Sequence, residues 1–277
     1  MKRIFILFCF FGATAQAQIN TPQASPTTKL ETTIGLTSVK VEYSRPGVKG
    51  RDKAIFGGLV PYGEVWRTGA NASTKVTFDD SVSIKGKMVA PGTYALYTIP
   101  GDNEWTVILN NDLTLWGAGG YDEAKDALRV KVKPASISEP AETFTIDISN
   151  YQNNSANLNM MWDFTKVAIP IEVSTDDKVM AQIDKIMGKP DAVTFYRAAD
   201  YYYQNGKDKN MALTWINDAV AQREHYAFYH LKAKILADLK DGKEAKKAAE
   251  KSMELASAAD NQDYVKMNEA LIKKLKK

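Results

Sequence analysis

Between Tyr43 and Asn71 the chain reads YSRPGVKGRDKAIFGGLVPYGEVWRTGAN, a stretch that concentrates residue types able to meet a ligand. Arg45, Lys49, Arg51, Lys53 and Arg67 are its cations, set against the carboxylates Asp52 and Glu64. Guanidinium forks and ammonium groups beside glycine-exposed backbone N–H groups suit a carboxylate, sulfate or phosphate. The plainer alternative is that these cations pair with the domain's own acids, as Arg67 could with Glu64. Asn71 adds an amide. Tyr62 and Trp66 flank Glu64, and with Trp105, Trp116 and Tyr121 they offer flat faces for a sugar ring. Aromatics in strands are mostly core, and that is the favoured reading for Trp105 and Trp162. Glu64 could act as a general acid, but glycoside hydrolysis wants a second carboxylate, for which Asp122 and Asp126 are the first candidates.

Several chemistries are excluded. Residues 18–173 contain no histidine and no cysteine, which removes Ser-His-acid triads, Cys-His pairs and the usual zinc, copper or iron ligand sets. The one cysteine, Cys9, sits in an apolar run near the start. His225 and His230, five apart, fall on different faces of a helix rather than on the shared face of i and i+4. Gly57-Gly58 lacks the GxxxxGK or GxGxxG spacing of a nucleotide loop. No cofactor and no metal is expected.

The elements that must position the candidate residues can be read from periodicity. Six of the 17 glycines fall between Tyr43 and Asn71, with Pro46 and Pro61, so this backbone turns repeatedly, while Ile55, Phe56, Leu59 and Val60 argue for an ordered loop. Around it, short segments alternate apolar and polar residues: Val39, Val41 and Tyr43; Val76 and Phe78; Val82 and Ile84; Tyr94 and Leu96; Trp105, Val107 and Leu109; Leu128, Val130 and Val132; Phe144, Ile146 and Ile148; Leu158, Met160 and Trp162; and Val167, Ile169, Ile171 and Val173. Turn signals such as Lys85-Gly86 and Pro91-Gly92 separate them, which predicts an antiparallel β-sandwich over 38–173. A second glycine-rich loop, Trp116 to Asp126, lies between strands and is expected beside the first.

At Ser174 the period changes to about 3.6. A first helix runs from there to Met187, and others cover roughly 190–204, 209–222, 226–239, 242–256 and 262–275, with Asp241 and Glu244 as a capping box. Two helical pairs resemble tetratricopeptide repeats: Tyr196, Tyr203, Ala212, Ile216 and Ala219 in one unit, Tyr229, Ala233, Leu236 and Ala245 in the next, with departures at Ala249 and Ser252. The fold class is therefore α+β and multidomain: a sandwich, then a helical hairpin-repeat domain over 174–277.

Met1 to Ala17 has basic Lys2 and Arg3, an apolar run and a small-residue end, the layout of a cleaved export signal. Its nine apolar residues, Ile4 to Gly12, fall far short of the ~20 needed for a membrane span. Residues 18–37, rich in Thr, Pro, Ser and Gln, read as a flexible leader. Without Lys2 and Arg3 the chain holds 34 basic and 33 acidic residues, too balanced to draw nucleic acid or anionic lipid.

The segments YSRPGVKGRDKAIFGGLVPYGEVWRTGANASTKVTF, APGTYALYTIPGDNEWTVILN, WGAGGYDEAKDALRVKVKP and WDFTKVAIPIEV resemble the family catalogued as domain of unknown function 2911, over about residues 29–173. The resemblance implies an exported bacterial protein and supports the sandwich reading. It carries over no active site, and the helical part lies outside it, as in members with a helical-repeat tail. The resulting expectation is a non-catalytic periplasmic or secreted binding protein. A small anionic or glycan ligand would meet Arg45, Lys49, Arg51, Tyr62, Glu64, Trp66, Arg67, Asn71, Trp116 and Tyr121, and a protein partner would meet the helices. The alternative is a cofactor-free, glycan-directed enzyme using Glu64 and Arg67.

Overall fold

A computed structural model of the protein describes residues 21–51, 55–188 and 190–275. The expected export signal over 1–17, Cys9 and the loop cation Lys53 lie outside these residues. The chain divides into two compact units, one up to Thr175 and one from Asp176.

The first unit is built from antiparallel strands. β1 (Thr27–Ile34) and β2 (Thr37–Ser44) form a hairpin, Thr27 opposite Ser44 and Ile34 opposite Thr37. β3 (Ala70–Phe78) follows the glycine-rich segment, β4 (Val82–Ile84) and β5 (Lys87–Val89) form a short hairpin, and β6 (Gly92–Ile99), β7 (Trp105–Asn110) and β8 (Asp126–Val132) form a meander. β9 (Pro134–Ser149) and β10 (Ser155–Val173) are long. Six strands make one sheet in the order β1-β2-β3-β6-β7-β8, and four make the other, β5-β4-β10-β9. The Lys85-Gly86 turn has both residues at positive φ, as a tight two-residue hairpin requires.

Two differences from the sequence reading have physical causes. The leader is not flexible from residue 27 onward, because β1 pairs with β2 along its whole length. An edge strand needs only one neighbour, and TTKLETTI supplies β-favouring threonines with Leu30 and Ile34 turned to the core. The expected pieces 158–162 and 167–173 are one strand, β10, bent by register shifts between Met161 and Thr165.

One core fills the space between the sheets. Val39, Val41, Val76, Phe78, Leu96, Trp105, Val107 and Leu128 from the six-stranded sheet meet Val82, Ile84, Phe144, Ile146, Leu158, Met160, Ile169 and Ile171 from the other. These are the inward positions of the predicted alternation. Tyr43 bridges the layers: its Oη donates to Ile146 O at 3.1 Å and accepts from Ile146 N at 2.9 Å.

The second unit holds α1 (Thr175–Ile186), α2 (Ala192–Gln204), α3 (Lys209–Gln222), α4 (Tyr226–Asp238), α5 (Gly242–Ala258) and α6 (Gln262–Leu275). Asp191, Asp208 and Asp241 accept from first-turn N–H groups, which is why these helices start where they do. Ala212, Ile216, Ala219, Ala233 and Ala245 are fully buried, so the small residues at helical spacing let α2 and α3, then α4 and α5, approach closely. No helix among the described residues is long and apolar enough to cross a membrane.

Candidate functional site

Much of the glycine-rich segment turns its polar groups on itself. Arg45 donates from Nε to Phe144 O (3.2 Å) and from Nη2 to Thr145 Oγ1 (2.8 Å), clamping the segment to β9. Lys49 bonds through its N–H to Glu142 Oε1 and through Nζ to Ala24 O, and Arg51 closes back on Val48 O and Gly47 O. Trp66 faces the core. Only 7 % exposed, it stands among Phe56, Trp105, Phe144 and Trp162, and its indole N–H donates to Gly69 O at 3.1 Å. Tyr62 is 46 % exposed and lies over Gly57, where a Cβ would come within 2.9 Å of its ring. Glu64 is exposed. No ion pair joins Glu64 to Arg67 among the described residues, and Arg67 Nε is buried without a hydrogen bond. Burial pushes the Arg67 guanidinium down from its ordinary pKa.

The second glycine-rich loop covers the outer side of the large sheet. Ala95, Tyr97 and Ile108 point away from the main core and are buried under Leu113, Leu115, Ala118 and Tyr121. Tyr121 is held inside this cover. Its Oη donates to Asp126 at 2.6 Å and accepts from Arg129 Nη2 at 2.9 Å, while Arg129 Nε pairs with Asp126 at 3.1 Å. Burial first, and the Asp126 carboxylate second, push the Tyr121 phenol up to about 12. Asp126 also accepts from Asn110, and Asp122 caps the short turn Glu123–Lys125. Both carboxylates proposed as partners for Glu64 are thus tied within their own loop, and no bond among the described residues links them to Glu64.

The two loops meet at the start of β3. Ala72 bridges to Trp116, and Ser73 N donates to Leu115 O at 3.3 Å. Beside that junction lies a cleft of about 200 Å³ lined by Gln23, Glu42, Ser44, Asn71, Ser73, Lys75 and Trp116, among others. Asn71, in the left-handed region at φ 59°, donates from Nδ2 to Ser25 O and to Ser44 Oγ, each at 3.2 Å. Ser73 is 3 % exposed, and its Oγ adjoins the Tyr97 phenol without forming a well-made hydrogen bond. Trp116 is 76 % exposed at the rim. Of the ten expected ligand residues, the cleft gathers Asn71 and Trp116. Glu42, Ser73 and Lys75 were missed, although the alternation of VEYS and ASTKV places them on the face opposite Val41, Thr74 and Val76. Among the described residues no group of three or more His, Cys, Asp or Glu side chains could hold a metal ion.

A two-sheet antiparallel sandwich with a polar cleft on its outer face, followed by a six-helix unit, is thus the kind of molecule the sequence encodes. Residues 25–171 match the family model described as Protein of unknown function (DUF2911), and the chain belongs to that family. No curated protein and no solved structure matches it.

Proposed function

We propose that the protein is an exported, non-catalytic binding protein whose sandwich holds a small anionic or glycan ligand in the cleft under Trp116. The observation that carries this reading is the indole of Trp116: a large apolar face, 76 % exposed, on the rim of a cleft whose other walls are amide, hydroxyl, carboxylate and ammonium groups. That combination suits a sugar, which presents apolar ring faces and polar edges. Arg45, Lys49 and Arg51 are engaged in fixing the glycine-rich segment, so the ligand moves from the loop to the place where the loop ends, at Asn71. Export rests on the signal-like Met1 to Ala17. The helical unit takes the part of partner contact, supported by a groove of about 190 Å³ lined by Val179, Ile183, Ile186 and Met187 together with the polar Gln182, Thr194 and Arg197.

The test is differential. Thermal melts of the wild type and Trp116→Ala are run against a panel of oligosaccharides, organic acids and phosphate. At least one compound should raise the wild-type midpoint, and the variant should keep its fold but bind that compound about tenfold more weakly, as loss of a stacking contact implies. Equal binding by both proteins, or no shift with any compound, overturns the proposal.

A further inference from the structure

The cleft under Trp116 does not stand alone. It shares Glu42 and Lys75 with a groove of about 450 Å³ that continues over the outer face of the large sheet, past Lys29, Glu31, Lys40, Thr77 and Thr93. The groove crosses β1, β2, β3 and β6, a width of roughly 14 Å at ordinary strand spacing. Its charges do not balance. Lys29 pairs with Glu42 at 3.2 Å and Lys40 with Glu31 at 2.9 Å, leaving Lys75 without an ion pair among the described residues. Lys75 is therefore the surplus cation, and it stands where groove and cleft join. Both existing pairs are mostly exposed and exchange readily with water or ligand. Thr77 and Thr93 share a hydrogen bond at 2.9 Å across β3 and β6 and keep further capacity toward solvent.

We infer that this face accepts an extended acidic oligosaccharide, with one ring against Trp116, a sugar carboxylate on Lys75, and the following sugars along the groove over β1, β2, β3 and β6. The inference rests on the proposed glycan-binding cleft and names its ligand class. A carboxylate complements the unpaired ammonium, whereas a neutral chain leaves it without a partner. A second copy of the chain fits this surface poorly, since Leu30 and Val41 are the large apolar linings of the groove, Trp116 stands apart at the rim of the cleft, and an interface centre needs a larger contiguous apolar patch. Single-stranded nucleic acid would require a run of cations and several stacking aromatics, and the face has three lysines, two glutamates and one tryptophan.

The experiment is titration calorimetry of the full-length protein with oligogalacturonides one to six residues long and with cello-oligosaccharides of the same lengths. Acidic chains should bind more tightly than neutral ones, gain affinity with length until the groove is filled, and weaken as salt rises. Lys75→Gln should weaken the acidic series by roughly tenfold or more and leave the neutral series unchanged. Trp116→Ala should weaken both. Length-independent affinity, neutral chains bound as well as acidic ones, or an indifferent Lys75→Gln overturns the inference while the Trp116 cleft survives. If neither series binds, both readings fall. Sedimentation showing a dimer broken by Lys75→Gln would instead assign the face to self-association and overturn the inference.

Discussion

Trp66 and Trp116 are the two tryptophans closest to the candidate site along the chain, and replacing each by alanine separates scaffold from surface. Trp66 is buried in the core, stacked on Trp162 at 5.8 Å with an interplanar angle of 17°, edge-on to Phe144 at 5.2 Å, and bonded to Gly69 O. Truncating a buried Trp costs about 3–5 kcal/mol, a figure that includes the cavity left behind. The lost hydrogen bond to Gly69 O adds about 1 kcal/mol. For a domain of this size each kcal/mol lowers the midpoint by roughly 2–4 °C, so at about 4–6 kcal/mol in all Trp66→Ala should melt about 8–24 °C below wild type. Trp116→Ala, at an exposed position, should stay within about 0.5 kcal/mol of wild type. The assay is near-ultraviolet circular dichroism against temperature, with urea titration for the free energies. A Trp66→Ala midpoint within 2 °C of wild type would refute the claim that the glycine-rich segment is anchored by its tryptophan.

Other consequences can be checked separately. Arg67→Met removes a partly buried cation with no ion pair among the described residues, so the midpoint should hold or rise, whereas a hidden ion pair would make the same change cost about 3–5 kcal/mol. In an ultraviolet titration Tyr121 should stay un-ionised until about pH 12, and Arg129→Leu, by taking away the cation that opposes this, should move its ionisation higher still. Burial lowers the pKa of His230 and of His225, whose neighbours Lys234 and Arg223 push the same way. The unfolded chain then takes up these protons first, so stability is full above the unfolded histidine pKa of about 6.5 and falls as the pH drops through it toward the lower folded values. Melting midpoints between pH 7.5 and 5 should decline, and less so in His230→Gln. A fragment spanning 18–173 should unfold in one cooperative transition. Insolubility would mean that the helices complete its core.

The strands and helices were legible because burial imposes a period, and Val39-Val41-Tyr43 or Ala212-Ile216-Ala219 repeat it without interruption. β1 was not, since an edge strand shows its pairing through backbone bonds and carries only Leu30 and Ile34 as apolar signal. Within the site, residue type misled where one side chain has two physical uses. Arg45 and Arg51 are as good at satisfying backbone carbonyls as at holding an anion, and neighbouring sequence does not say which carbonyls are at hand. The exposure of Trp116 was legible because no apolar strand pattern surrounds it. Its neighbours Glu42 and Lys75 come from strands β2 and β3, and only the register Glu42 opposite Lys75 brings them together.

That register also explains why the cleft lies where it does, and it leads to one more prediction. Trp66 pairs with Thr98 and Thr74 with Leu96, positions two apart on β6, so residues 67–73 make a detour out of the pairing with β6, while Ala70 within it pairs with Ser44 on β2. The detour closes through positive φ at Thr68 (55°), Gly69 (147°) and Asn71 (59°), and it carries Asn71 and Ser73 to the rim where Trp116 waits. Glycine is needed at 69 because a Cβ there would lie 2.9 Å from Ser44 O. Asn71 pays the left-handed penalty of about 1 kcal/mol and offsets it with two side-chain bonds. Asn71→Gly should lose the bonds but relax the backbone, leaving stability within about 1 kcal/mol of wild type. Asn71→Ala loses the bonds and keeps the strain, and should fall a further 1 kcal/mol or so. Urea titrations of the three proteins decide it: if alanine and glycine are equally stable, the backbone at 71 is not the constraint that shapes the cleft.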